Sequence, residues 1–150
     1  MFPLPIPMRR ALDAAAAAAR VGEVPVGAAL VWAGEVIAVA ANAPRGQCDP
    51  TAHAEIRVIR DAAAQLGRDR LEGAELWVTL EPCAMCAGAI AHARIARLYY
   101  GAGDAKGGAV EHGPRLFTQG TIHHRPDVYG GIGEAEAAAL LRDFFRDRRA

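Results

Sequence analysis

The period of apolar and polar positions changes along this chain, and each change marks an element. Alanine dominates from Met8 to Arg20, unbroken from Ala14 to Ala19, and its high helix propensity predicts a helix that Gly22 ends. The small side chains of that helix suit close packing on a sheet. Two β-branched-rich runs, VPVGAALVW and EVIAVAAN, flank Ala33-Gly34. They predict a hairpin of two buried strands with Pro25 at its start. APRGQCDP reads as a loop, and Asp49-Pro50 supplies a helix N-cap followed by proline at the first helical position.

The next helix is expected from about Pro50 to Leu66, with Ile56, Ile59, Ala63 and Leu66 on one stripe and Arg57, Arg60 and Asp61 opposite. Gly67 stops it. ELWVTL is a strand, Pro82 opens a helix carrying Ala87 to Ala93, and IARLYYG is another strand. Gly101 to Tyr129 reads as irregular and glycine-rich, with a short helix around Pro114 to Gln119, and EAEAAALLRDFFRDRR closes the chain as a helix. Strand and helix alternate after the hairpin, which requires parallel pairing with helices packed on the sheet. The expected class is α/β, in three α/β/α layers around a mixed sheet.

At 150 residues the chain is expected to form one domain, 1–150, with a core large enough to need no disulfides. Hydrophobic residues make up 52% and charged residues 23%, yet no apolar run approaches the ~20 residues of a membrane-spanning helix. MFPLPIPMRR places three prolines in its apolar stretch and its arginines after it, the reverse of a secretory signal. A cytoplasmic protein is expected, with residues 1–7 disordered. Lys plus Arg equals Asp plus Glu at 17 each, so a nucleic-acid partner would have to be held by a local patch. Three cysteines, two of them spaced Cys-x-x-Cys, point to thiols or metal ligands in a reducing compartment.

The candidate chemistry lies in DPTAHAEI and TLEPCAMC. Residues two apart in a regular helix point about 200° apart, so His53 and Glu55 can share a target only at a helix end. Cys83 and Cys86, three apart, lie on one face of a first turn, where the helix dipole lowers thiol pKa. One helix, a short loop and a strand separate His53 from Cys83. A parallel crossover of that length brings two successive helix N-termini together at the carboxyl edge of the sheet. One imidazole and two thiolates would hold zinc by three ligands, leaving the fourth position for water. Zinc makes hydroxide available near neutral pH, and Glu55 is the candidate to move its proton.

HAE followed by PCAMC resembles the signature of the zinc-dependent cytidine/adenosine deaminase superfamily. More closely, EVPVGAALV, DPTAHAEI, LWVTLEPC, MCAGAI, YYGAGDAKGGA and LLRDFFR together resemble the bacterial tRNA adenosine deaminase family, over about Met8 to Arg149. The resemblance implies a cytidine-deaminase-like fold with a mixed five-stranded sheet, and conversion of adenosine to inosine at the tRNA wobble position. It implies one Zn2+ per subunit on His53, Cys83 and Cys86. Zinc hydroxide would attack C6, and Glu55 would pass a proton to the departing amine. It also implies that Asn42 reads the purine edge, that the N–H groups of Ala54 and Cys83 face the base and the tetrahedral oxygen, and that Asp104 and Lys106 lie near the RNA backbone. The resemblance also offers His124, Arg125, Arg146 and Arg149 as candidate RNA contacts. The implied partners are a tRNA anticodon stem-loop and a second copy of the chain, with CAGAIAHARI in the interface and no membrane.

Other readings stay open at this level. A free-base or nucleoside deaminase, acting on guanine or cytidine, would share every zinc-site residue. Cys48 could instead close a structural Cys3His site. GAGDAKGGA has no Gly-Lys-Ser/Thr after it and does not join a strand to a helix, so a nucleoside-triphosphate loop does not fit. His123 and His124 have no partner ligands at useful spacing. The arginines of the last helix alternate with Asp143 and Asp147, the ordinary pattern of a solvated face.

Overall fold

The structure, a computed structural model, describes residues 3–149, with side chains through Arg148. Its elements are α1 (Ile6–Arg20), β1 (Gly27–Trp32), β2 (Glu35–Ala41), α2 (Ala54–Leu66), β3 (Glu75–Leu80), α3 (Ala84–Ala93), β4 (Arg97–Ala102), a short 3-10 turn (Leu116–Thr118), β5 (Asp127–Tyr129) and α4 (Glu134–Arg149). The five strands form one sheet in the order β2-β1-β3-β4-β5. β1 runs antiparallel to both β2 and β3, while β3, β4 and β5 are parallel. β2 and β3 therefore point the same way, and both deliver the chain to the same edge of the sheet.

The hairpin forms where the pattern predicts it: Ala33 and Gly34 both take positive φ, 51° and 81°, the combination a type I′ turn needs to match strand twist. α1 and α4 cover one face, around Met8, Leu12, Ala29, Trp77 and Ala137. α2 and α3 cover the other, around Leu30, Val58, Leu76, Val78, Ile90 and Leu98. The alanine run of α1 has a packing reason. A Cβ at Gly27 of β1 would lie 1.9 Å from the carbonyl oxygen of Ala11, so helix and strand backbones are nearly in contact. Only small residues allow that approach.

Several expectations are corrected. α1 begins at Ile6 rather than Met8, with Pro at its first turn, where its missing N–H costs no hydrogen bond. Residues 6 and 7 of the leader expected to be disordered are thus helical, and Leu4 packs on the α1/α4 core; residues 1 and 2 lie outside the described residues. α2 begins at Ala54 with His53 as its N-cap, because the Asp49 carboxylate caps a separate turn at Thr51. The buried side of α2 is Ala54, Glu55, Ile56, Val58 and Ala62, while Ile59, Ala63 and Leu66 are only partly buried. α3 likewise begins at Ala84, one residue after Cys83 and not at Pro82. The segment expected to be irregular contains β5, a three-residue edge strand too short to show a period.

Candidate active site

The two sequence motifs meet at the shared sheet edge. His53 and Cys83 are the N-cap residues of α2 and α3, and both have extended backbone. A residue in that conformation directs its side chain past the helix end instead of along its flank. Cys86 follows in the first turn of α3, fully buried. His53 Nδ1 lies 3.5 Å from Cys86 Sγ and 3.7 Å from Cys83 Sγ, and the three ligand atoms all fall within 4.8 Å of one another. Among the described residues this is the one group of three or more His, Cys, Asp or Glu side chains placed to hold a metal ion.

The donor set fits zinc. Bonds of about 2.3 Å to sulfur and about 2.05 Å to nitrogen, at tetrahedral angles, separate nitrogen and sulfur donors by about 3.6 Å, which the two observed distances bracket. Cys48 takes no part: it is exposed, has φ of 50°, and its thiol faces the Arg45 carbonyl of its own loop at 3.8 Å. The closed Cys3His reading is thereby set aside.

The electrostatics of the group suit deprotonated ligands. The Cys83 thiol is lowered to about 5, first by the hydrogen bond it receives from Cys86 and then, against its partial burial, by N–H groups of the helix start and by His53. Cys86 moves the opposite way, raised by that same hydrogen bond and by burial. The two thiols are thus coupled, and without a metal the pair favours a single thiolate that accepts the hydrogen bond of the other thiol. Glu55 is 4% exposed, and burial pushes its carboxyl up to about 7 despite its own backbone N–H. Such a group can both accept and release a proton near neutrality.

His53, Glu55 and Cys83 open into a cavity of about 290 Å³ that Asn42, Asp104 and Gly107 also line, among others, while Cys86 is buried. Asn42 sits where β2 ends, and its Oδ1 accepts the Ala54 N–H at 2.9 Å. The expectation that this N–H faces a substrate is corrected: it is already paired within the protein. Asp104 is half-buried at the mouth, its Oδ1 accepting the N–H groups of Lys106 and Gly107 at 3.1 and 2.9 Å, and Lys106 is exposed beside it. A larger cleft of about 740 Å³ lies across the opposite edge, beside Arg10, Glu75 and Arg97, and carries no such ligand group.

The other residues expected near RNA are placed less favourably. The His124 ring is within 2.7 Å of the Ile95 carbonyl oxygen, and Arg125 donates to the carbonyls of Phe117 and Gln119, so both tie down the segment before β5. Arg146 is exposed and pairs with Asp143 and Asp147. The Arg149 side chain lies outside the described residues. His123 packs against His92, with ring centroids 4.7 Å apart, and joins no three-ligand group.

Two buried carboxylates were missed by sequence reasoning. Glu23 accepts the N–H groups of Arg45 and Gly46 at 3.3 and 2.7 Å, pinning one wall of the cavity. Glu81 pins the opposite wall. The available signal was position: each glutamate adjoins a strand that the pattern already buries.

Comparison with known proteins gives the relatives of this chain. The family model for MafB19-like deaminases matches residues 5–149. A tRNA-specific adenosine deaminase of Agrobacterium fabrum is 59% identical over 95% of this chain and 93% of its own length. Its Bacillus subtilis counterpart is 44% identical over 95% of this chain and 88% of its own length. A solved structure from work on A-to-I editing by tRNA:A34 deaminases at the wobble position of transfer RNA superposes with a TM-score of 0.89 at 58% identity, covering 90% of this chain and 98% of that one.

Proposed function

The chain belongs to the MafB19-like deaminase family, and on that premise we propose that it is a tRNA adenosine deaminase, hydrolysing the wobble adenosine to inosine with release of ammonia. The layered architecture is the cytidine-deaminase-like fold. The observation that carries the reading is the convergence of His53, Cys83 and Cys86 beside buried Glu55 at the floor of an open cavity.

His53, Cys83 and Cys86 would hold one zinc ion per chain. When bound, the ion supplies a water acidic enough to attack at neutral pH. Glu55 takes the proton from the attacking water and delivers it to the exocyclic nitrogen as the C6–N bond breaks. Its elevated pKa keeps that proton exchangeable, an effect the nearby cation would moderate. The Asn42 oxygen is occupied by Ala54, which leaves the amide NH2 to donate to an acceptor on the base edge such as purine N7. The target nucleotide must be unstacked and turned into the cavity, as a structured loop allows. Asp104 and Lys106 then lie where the flanking backbone passes.

The reading extends to a cytoplasmic homodimer, with the exposed Met85 and His92 side of α3 toward the second copy. Among the described residues no helix is long and apolar enough to cross a membrane. Glu55→Ala is expected to keep about one zinc per chain and to lose deamination by about 10²–10⁴-fold. Full activity in that variant would remove Glu55 from the mechanism. Zinc-loaded protein should release ammonia from an anticodon stem-loop with adenosine at the wobble position, and not from guanine or cytidine. Turnover of only the free base or nucleoside would overturn the substrate assignment.

A further inference from the structure

Glu81 takes no part in the metal site, yet it is 2% exposed and its carboxylate is fully engaged. Its Oε1 accepts the Asp104 N–H at 3.0 Å and lies 2.6 Å from His112 Nδ1. Its Oε2 accepts the N–H groups of Val110, Glu111 and His112 at 3.1, 2.9 and 3.1 Å. A buried carboxylate is costly unless so satisfied. Both ends of one loop, 104–112, therefore converge on a single side chain at the end of β3. The fit is tight: a Cβ at Gly108 would lie 2.5 Å from the Glu81 carboxyl carbon, so that position has no room for a side chain. The loop contributes Asp104 and Gly107 to the lining of the cavity that His53, Glu55 and Glu81 itself also line.

We infer that Glu81 is a positioning residue for substrate: it locks loop 104–112 in place before RNA arrives and acts through Asp104, whose backbone it holds at the pocket mouth. This rests on the deaminase reading of the cavity. The role differs from plain loop closure because the two carboxylate oxygens divide the work. Oε2 gathers the N–H groups of 110–112 at the far end of the loop, while Oε1 takes the Asp104 N–H together with the His112 ring nitrogen. Preorganisation of this kind improves binding by removing the cost of ordering the loop on contact.

The division of labour makes Glu81→Gln an informative variant. Its amide oxygen can keep the three N–H donors of 110–112, but its NH2 then faces the Asp104 N–H, donor against donor, with only the His112 ring nitrogen placed to accept from it. With the anticodon stem-loop as substrate, KM is expected to rise about ten-fold with kcat and zinc content nearly unchanged. Asp104→Ala should raise KM on its own. The double variant should be no worse than the poorer single one, because Glu81 acts only by holding the backbone that presents the Asp104 side chain, and with that side chain gone the clamp has nothing left to present. Additive effects, or unaltered KM in Glu81→Gln, would overturn the proposal. Hydrogen exchange decides the clamp independently of substrate: the Asp104 amide should exchange at least ten-fold faster in Glu81→Gln while the β3 amides stay protected, and unchanged exchange would also overturn it. Should the wild type fail to deaminate the stem-loop, the functional reading fails while the exchange result still tests the clamp. If Glu81→Gln does not fold, His112→Ala removes one Oε1 partner from an exposed loop and should speed Asp104 exchange a few-fold; no change would count against the proposal.

Discussion

Asn42 Oδ1 accepts the backbone N–H of Ala54 at 2.9 Å, so the residue that follows β2 is tied to the first residue of α2. The bond orients the Asn42 amide, with its oxygen spent inside the protein and its nitrogen left to donate into the cavity. It also steadies the turn that presents His53, the residue before Ala54.

Asn42→Asp separates these two duties. A carboxylate still accepts the Ala54 N–H but has nothing to donate to an acceptor on the base. Unfolding free energy should change by less than about 1 kcal/mol, while kcat/KM on the stem-loop falls about 10–100-fold. Chemical denaturation and steady-state kinetics on one preparation check both.

The metal centre should release a proton when it fills. At pH 7 the depressed Cys83 thiol is already ionised, whereas the raised Cys86 thiol keeps its proton, and zinc requires both as thiolates. Zinc uptake by the metal-free protein should release at least one proton per ion, one from the thiol pair and a further fraction from Glu55, whose carboxyl is partly protonated near pH 7 until the cation binds. Calorimetry in two buffers of different ionisation enthalpy measures it, and affinity should fall as the pH is lowered.

Arg9 and Glu136 join α1 to α4 on the surface, where Arg9 Nη1 donates to Glu136 Oε1 at 3.0 Å and Nη2 donates to Oε2. The Arg9 hydrogen bond holds the Glu136 carboxyl below its ordinary value of 4.5, outweighing partial desolvation. A depressed folded pKa contributes stability that is present above the unfolded value and is lost as pH falls below it through the folded one. Both side chains are substantially exposed, so the contribution is about 0.5 kcal/mol. Glu136→Gln should match the wild type in acid and be less stable near pH 7, as thermal melts across that range would show.

Gly27 tests the closeness of α1 to β1. Gly27→Ala places a methyl group 1.9 Å from the backbone oxygen of Ala11, which cannot rotate away. A loss of about 3 kcal/mol is expected, read as a Tm lower by roughly 10 °C.

Much of this fold was legible locally. Ala33-Gly34 between two β-branched runs announced the hairpin, because the runs favour strands and Gly34 accepts the positive φ a two-residue turn needs; the positive φ of Ala33 is imposed by the strand pairing. ELWVTL and the final helix lie where their patterns placed them. β5 was not legible, since its three residues owe their extended form to pairing with β4 rather than to any period of their own. The beginnings of α2 and α3 were misplaced for a related reason. Proline and Asp49 looked like helix starts, but the chain turns into the site first, so α2 begins at Ala54 rather than Pro50 and α3 at Ala84 rather than Pro82.

His53, Glu55, Cys83 and Cys86 could be named from the sequence because their chemistry lies in residue type and short spacing: two thiols three apart, and a carboxylate two from an imidazole. The tertiary structure alone decided what the backbone does around them. It assigned the Ala54 N–H to Asn42, set His124 against the Ile95 carbonyl before β4, gave Arg125 the carbonyls of its own segment, and turned Glu81 into the anchor of a loop more than twenty residues away. Such pairings depend on which strand ends share an edge of the sheet, and short-range periodicity carries no record of that.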